Sequence, residues 1–453
     1  MTSSYVAAQV VAISSPPVGV DCMPSIRRRC VNSCPARKTL ISISLLAISM
    51  SSGVGLGQES KSAAAPVERP WVNVSAEARA IHGRSYVFDG HNDLPWVVRT
   101  EASRSFDALD ISKPQPKIHT DIPRLKLGGV GAQYWSVFVP ADTVKTGAAH
   151  QTTIEQIEIV KAMIARYPET FELALNSDDV NRIRASGKIA SMIGMEGGHA
   201  IENSIAKLRR LHEMGARYMT LTHSDTLDWA DACSDEPKSH GLSEFGREVV
   251  REMNRLGMLV DISHVSPETM QAAMDTSTAP VIFSHSSARG VAEHVRNVPD
   301  EILKQLPADG GVVMVNFFSG FIVPESTVNT RNMFARNRAL RAKYGDDKDA
   351  IRKEMDAYEI QNPIFPGSVH HVADHIDHIV KVAGIDHVGI GSDFDGIGTV
   401  PKQLEDVSKY PVLTQVLLDR GYREADIHKI MSGNIMRVMK QAEGEAKRLG
   451  NDF

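Results

Sequence analysis

Cysteine is scarce in this 453-residue chain: four in all, and three of them (Cys22, Cys30 and Cys34) lie near the N-terminus. Beyond that stretch Cys233 stands alone, and one thiol closes no intrachain disulfide. The fold must therefore stand on its core. An excess of positive charge is missing too. Lys and Arg total 50 against 55 Asp and Glu, a formal net charge of −5, which leaves no basic stripe for nucleic acid. There is no run of the ~20 apolar residues that a membrane-spanning helix needs; the stretch Leu40–Met50 is about half as long. No cysteine follows that stretch to take a lipid, and the C-terminal residues Arg448 to Phe453 carry no hydrophobic tail for an anchor. Internal repeats and low-complexity tracts are absent, so a structural or adhesion module has no support.

The N-terminal stretch has its own pattern. Arg27, Arg28, Arg29, Arg37 and Lys38 precede the apolar run, and the small-residue exit Gly55-Leu56-Gly57 follows it. This order reads as a signal peptide over residues 1–57, with Met23 as an alternative initiator, and it implies an exported, periplasmic or secreted protein. Ser, Ala and Pro between Gln58 and Arg69 mark a linker, taken as 58–72. Residues 73–453 then form the main domain, and a hydrophobic share of 42% is ample for its core.

Eight apolar runs read as strands: Tyr86–Asp89, Gln133–Val139, Ala190–Gly194, Tyr218–Thr222, Leu259–Ser263, Val281–Ser284, Val312–Asn316 and His387–Gly391. Most are apolar throughout rather than alternating, as parallel strands buried on both faces require. Helical patterns fall between many of them, including Ile154–Arg166, Ile205–Glu213, Glu244–Leu256, Glu268–Met274 and Val372–Val382. Strand–helix alternation of this kind predicts an α/β fold, a (β/α)8 TIM-like barrel. Between the seventh and eighth strands a charged segment, Asn329 to Tyr358, reads as a helical insertion broken at Tyr344-Gly345-Asp346-Asp347. It is either a roof over the site or a solvated decoration.

Side chains of metal-ligand type recur where these strands end. His91 and Asp93 follow the first, Glu196 the third, His264 the fifth, His285 the sixth and Asp393 the last. Active sites of such barrels gather at the strand C-termini, and His and carboxylate are hard-metal donors. Each residue alone has a blander reading: a capped His in a turn, a surface Glu, a hydrogen-bonded core His, or an Asp-x-Asp-Gly turn at Asp393-Phe394-Asp395-Gly396. Their recurrence favours a metal site, with Asp393 as a base beside it. His371, His375 and His378 share a helix face, but Val372 stands where a His-Glu-x-x-His site has its glutamate. That trio reads as helix surface or packing.

Several stretches together resemble the membrane (renal-type) dipeptidases: Phe88-Asp89-Gly90-His91-Asn92-Asp93-Leu94-Pro95-Trp96, Met195-Glu196-Gly197-Gly198-His199, Leu221-Thr222-His223-Ser224, Ile282-Phe283-Ser284-His285-Ser286-Ser287-Ala288, Arg296-Asn297-Val298-Pro299 and Gly391-Ser392-Asp393-Phe394-Asp395-Gly396. The likeness runs in order from about Tyr86 to Val438. It implies a bacterial-type relative with two Zn2+ per chain: His91 and Asp93 on one, His264 and His285 on the other, and Glu196 bridging both. Asp393 would be the proton shuttle beside a bridging hydroxide, His223 would polarise the scissile carbonyl, and Arg296 would clamp the substrate's carboxylate. The roles of His223 and Arg296 come from the resemblance alone. It also implies dipeptide substrates, including those with a C-terminal D-residue, and a homodimer. Alternatives are another binuclear metal amidohydrolase, such as an N-acyl-D-amino-acid deacylase or a lactonase, and a non-catalytic exported binding protein.

Overall fold

In the computed structural model, residues 67–345 and 347–451 are described; the expected signal peptide, residues 1–57, lies outside them, as does most of the expected linker. Nine parallel strands form the sheet: β1 (Val87–Asn92), β2 (Val130–Ser136), β3 (Phe171–Leu173), β4 (Ile189–Glu196), β5 (Ala216–Thr220), β6 (Leu259–Asp261), β7 (Ile282–Phe283), β8 (Val312–Val315) and β9 (Val388–Ile390). β1 pairs with both β2 and β9, and β2 pairs with β4, so the pairing closes. The ring runs β1-β2-β4-β5-β6-β7-β8-β9 and contains all eight strands read from the sequence. The addition is β3, three residues paired with the start of β4 and outside the ring.

Alternate residues of the strands enter two separate cores, as the period-2 geometry of a strand requires. Phe88, Tyr134, Met192, Tyr218, Ile282 and Met314 belong to one cluster, which also takes in Val438 and Met439 of the helix Asn434–Arg448. Their chain neighbours Val87, Trp135, Ile193, Met219, Phe283 and Val315 belong to the other, which includes residues of most of the surrounding helices. This two-sided burial is why the strands read as continuous apolar runs.

The helices begin and end on local chemistry. Glu244–Leu256 starts where Ser243 accepts from the Gly246 N–H and stops at Gly257, whose φ of 66° suits a residue without Cβ. Between β8 and β9 stand the helices Pro324–Tyr344 and Lys348–Gln361, separated at Gly345. The helix Val369–Ala383 carries the histidine trio, and each member has its own packing partner. His371 Nδ1 accepts from the Ser368 N–H at 3.0 Å, His375 Nδ1 accepts from the Ala288 N–H at 2.9 Å, and His378 Nε2 meets Asp300 at 2.7 Å. Val72 also lies against the barrel: Gln403 exchanges two hydrogen bonds with its backbone, at 2.9 and 2.8 Å.

Among the described residues, no helix is long and apolar enough to cross a membrane. Cys233 is a free thiol, and burial raises its pKa.

Candidate metal centre

At the C-terminal ends of the ring strands, the eight singled-out residues come together. Asp93, Glu196, His223, His264, Arg296 and Asp393 line one cavity of about 390 Å³, while His91 and His285 lie fully buried beneath it. Glu196 ends β4 and is the centre of the group. Its Oε2 faces His91 Nε2 at 3.5 Å, and its Oε1 faces His264, His285 and His223 Nε2 at 3.2, 3.4 and 3.7 Å. On the His91 side, Asp93 Oδ2 lies 3.3 Å from the same Nε2. The two oxygens of one carboxylate are therefore turned toward two different sets of donors.

Asp93 reaches this place by a route the sequence pattern does not describe. β1 ends at Asn92, so Asp93 is not an extended strand residue but the N-cap of the helix Leu94–Glu101. Its side chain accepts no capping hydrogen bond there, which leaves both oxygens for other work. Gly396 allows the close packing behind it: a Cβ at that position would come 2.2 Å from Asp93 Oδ2.

Two of the imidazoles are held from the far side. His91 Nδ1 meets the Tyr218 hydroxyl at 2.7 Å, and His285 Nδ1 meets Ser284 Oγ at 2.7 Å. Tyr218 fits because Gly194 faces it, where a Cβ would fall 2.0 Å from the phenol ring. These contacts aim both Nε2 atoms at the cavity. His91 Nε2 is buried without a hydrogen-bond partner, and His264 and His285 Nε2 stand only 2.9 Å apart. Buried polar atoms are normally partnered. A cluster of lone pairs turned on one another is the chemistry of a cation site, and three overlapping groups here could hold an ion: His91-Glu196-His285, Glu196-His223-His264 and His91-Asp93-Asp393. The donor set fits a metal.

The electrostatics agree. Burial, and then the positive charge of Arg296 and His223, holds His264 well below the usual imidazole range. Burial followed by His91 does the same for His285. Neutral imidazole is the metal-binding form. Burial works against charge on Glu196, yet the imidazoles around it outweigh that and keep it ionised. Two groups depart from this: against its burial, Tyr218, Glu196 and Asp93 raise His91 well above the usual imidazole range, and burial first, then the nearby carboxylates of Asp93 and Glu196, pushes Asp393 up to about 8. Its Oδ2 accepts from Asn316 Nδ2 at 2.8 Å, leaving Oδ1 free of that bond.

Backbone strain concentrates here. His264, Asp393 and Asp395 all have left-handed φ, at 68°, 65° and 68°. For residues with a Cβ this costs roughly 1 kcal/mol each, and it is tolerated where the surroundings dictate it.

Arg296 is buried at the cavity wall with few partners. Nη1 donates to Ser286 Oγ at 3.3 Å and Nη2 to the His285 carbonyl at 3.1 Å, while Nε donates to nothing. Among the described residues no carboxylate forms an ion pair with it. A buried guanidinium without a counter-ion is costly unless an anion visits.

The membrane dipeptidase (peptidase family M19) model matches residues 75–452. The chain belongs to that family. It is accordingly a metallo-dipeptidase, a metal-dependent hydrolase. The probable dipeptidase PvdM from Pseudomonas aeruginosa is 25% identical, covering 82% of this chain and 98% of that one, with a TM-score of 0.71. A metallopeptidase from Rhodobacter sphaeroides, solved with a phosphinate mimic of the dipeptide L-Ala-D-Ala, is 24% identical, covering 79% and 99%, with a TM-score of 0.64. An amidohydrolase from Pseudomonas aeruginosa is 23% identical, covering 81% and 99%, with a TM-score of 0.62. The last two are similar in fold.

For this dipeptidase, inspection of strand ends misses several groups that shape the site. Tyr218 reads as a core strand residue and gives no signal. Asn316 directly follows β8 and carries the same strand-end signal as its neighbours. Asp395 also lines the cavity: its Oδ1 accepts from the His119 N–H at 2.6 Å, and its Oδ2 is buried without a partner. Phe318, Phe321 and Phe334 line the cavity too, and Phe334 belongs to the helix Pro324–Tyr344.

Proposed function

We propose that this protein is a zinc dipeptidase that holds two ions and cleaves the single amide bond of a dipeptide. The observation that carries this reading is the split allegiance of Glu196: Oε2 on the His91 and Asp93 side, Oε1 on the His264 and His285 side. One carboxylate with a donor set on each oxygen suits a bridge between two cations, and a His and carboxylate set suits zinc. Bound there, the ions would polarise the scissile carbonyl and activate the attacking water.

The remaining steps belong to the chain's own groups. Asp393 Oδ1, the oxygen that Asn316 leaves free, takes the proton of the attacking water and passes it to the leaving amine. His223 donates toward the carbonyl oxygen as negative charge develops there, which is the larger electrostatic contribution to such a reaction. Its ring is steadied between Phe138 and His264, with centroids at 4.7 and 4.4 Å. Arg296 takes the substrate's carboxylate with its unused donors and so sets the distance from that end to the scissile bond. Carboxylates on one wall and a guanidinium on another match a zwitterion, and a fixed clamp excludes long peptides. The Rhodobacter sphaeroides metallopeptidase was solved with an L-Ala-D-Ala mimic, which supports tolerance of a C-terminal D-residue here.

The test is metal content of the purified protein with dipeptide hydrolysis before and after chelation. Zinc near two per chain and activity restored by zinc are expected; full activity in the chelated protein would end the proposal. Export is proposed from the basic and apolar pattern of residues 1–57. N-terminal sequencing of the mature protein checks it: a chain that still begins at Met1 or Met23 rules it out.

A further inference from the structure

Three phenylalanines border the cavity in the same sector as Arg296. Phe318 and Phe321 follow β8, and Phe334 reaches in from the helix Pro324–Tyr344. Phe318 and Phe321 meet edge to face with centroids 4.7 Å apart, and Phe321 and Phe334 pack at 6.1 Å. The Arg296 guanidinium carbon lies 5.3 Å from the centre of the Phe321 ring. Behind this wall the His294 ring lies tilted against Phe321 at 4.7 Å, and burial pushes its imidazole down to about 3, so it brings no charge to the sector. The acidic groups of the cavity come from other strands: Asp93 after β1, Glu196 at the end of β4, Asp393 and Asp395 after β9.

We infer that the substrate's C-terminal residue carries a bulky apolar side chain, seated against Phe318, Phe321 and Phe334 while its carboxylate lies on Arg296. This rests on the proposed role of Arg296 and names the substrate class of the same site. The reason is covalent geometry. The carboxylate and the side chain of a terminal residue leave the same α-carbon, so a clamp on one confines the other to the clamp's surroundings. An apolar side chain gains there by leaving water. A charged one loses its hydration there, and the guanidinium beside the rings is already taken by the terminal carboxylate. The cavity of about 390 Å³ falls in the size range of small-molecule sites.

Phe334 is the most informative member of the wall. It also lines a second cavity of about 320 Å³, together with Met333, Met355 and Arg338, so its ring stands between the two spaces. Removing the ring should weaken the discrimination between apolar and small residues rather than redirect it.

The experiment measures kcat/KM of the metal-loaded protein for Ala-Phe, Ala-Leu, Ala-Gly and Ala-Asp. The apolar pair should be favoured by about tenfold or more, the scale on which hydrophobic pockets discriminate. In Phe334→Ala the ratio of Ala-Leu to Ala-Gly should fall by about fivefold, and Phe318→Ala gives the same readout should the first variant not fold. Calorimetric titration of the metal-free protein with the same four dipeptides reads the ranking without turnover. Equal kcat/KM for Ala-Phe and Ala-Asp, or a ratio unmoved by both substitutions, overturns the apolar subsite. No turnover of any dipeptide with Ala-Phe still bound above Ala-Asp removes the peptidase reading and keeps the subsite. No turnover and no ranking removes both.

Discussion

Two groups of buried carboxylates sit on the same barrel and differ in how their oxygens are used. Asp261 on β6 accepts from the Ser284 N–H and Oγ at 2.9 and 2.6 Å, the Ser263 N–H at 3.1 Å and Thr220 Oγ1 at 2.5 Å. Asp89 on β1 accepts from the Ser392 N–H and Oγ at 2.8 and 2.5 Å, the Tyr410 hydroxyl at 2.7 Å and the His91 N–H at 3.2 Å. Each is saturated by neutral donors from neighbouring elements. Glu196, by contrast, has one neutral donor, Ser136 Oγ at 3.3 Å, and otherwise faces imidazoles. A saturated carboxylate pins strand ends together; an unsaturated one ringed by lone pairs is suited to hold a cation. Asp309 guards against reading every unsaturated case that way. It lies at the opposite end of the barrel and accepts from the Val281 N–H at 3.2 Å, and burial pushes it up to about 6. Its neighbours are the Val281 and Gly311 N–H groups and Arg437 rather than a ring of imidazoles, so incomplete solvation there is only a cost.

The contrast is easiest to break at Glu196. Glu196→Gln should lower zinc content and reduce kcat by about 10³-fold or more, since metal assistance contributes several kcal/mol; retained zinc and rate would place Glu196 with the pins. Next comes Asp393→Asn, which should keep metals and fold while kcat falls by about 10²- to 10⁴-fold. Near-normal kcat with zinc bound would contradict the proton-shuttle role. For Arg296→Ala, kcat/KM should drop by about 10- to 150-fold through weaker dipeptide recognition, the worth of hydrogen bonds to a charged group, with metals retained. An unchanged kcat/KM takes Arg296 out of the site.

The pins predict a different readout. Asp261→Asn turns an amide N–H2 toward donors, and unfolding should show a loss of about 2–3 kcal/mol. A variant with unchanged Tm and lost zinc would erase the distinction. The smallest effect is at Asp309. Its folded pKa lies above its unfolded one, so the stability it contributes is full below about pH 4 and is lost as pH rises through about 6. Asp309→Asn should therefore gain on the parent above pH 6, by about 1–2 kcal/mol, and a Tm difference independent of pH would show that the carboxylate is not held neutral.

Much of the barrel was legible because burial on both faces forces each strand to be apolar along its length. The start of the second strand was not, since Gly131 interrupts its run ahead of Gln133 and pairing with β1 and β4 carries the strand back to Val130. β3 is too short, at three residues, to stand out. The ligands were legible as types at strand ends. Asp93 was legible as a donor type after the first strand, but its place as a helix N-cap was not. Phe334 was hidden in a segment whose many charges read as solvated, because one inward aromatic does not change a helix's overall polarity. The histidine trio read correctly as packing once Val372 removed the expected glutamate.

By itself the sequence determined which residues end the strands and that those residues are of metal-donor type, because periodicity and composition act within a single element. Only the tertiary structure decided that the two oxygens of Glu196 face different donor sets, that Arg296 has no counter-ion among the described residues, and that a phenylalanine wall stands beside it. Those facts depend on closure of the ring, which brings residues far apart in the chain within a few ångströms through strand pairing and packing that no local pattern encodes.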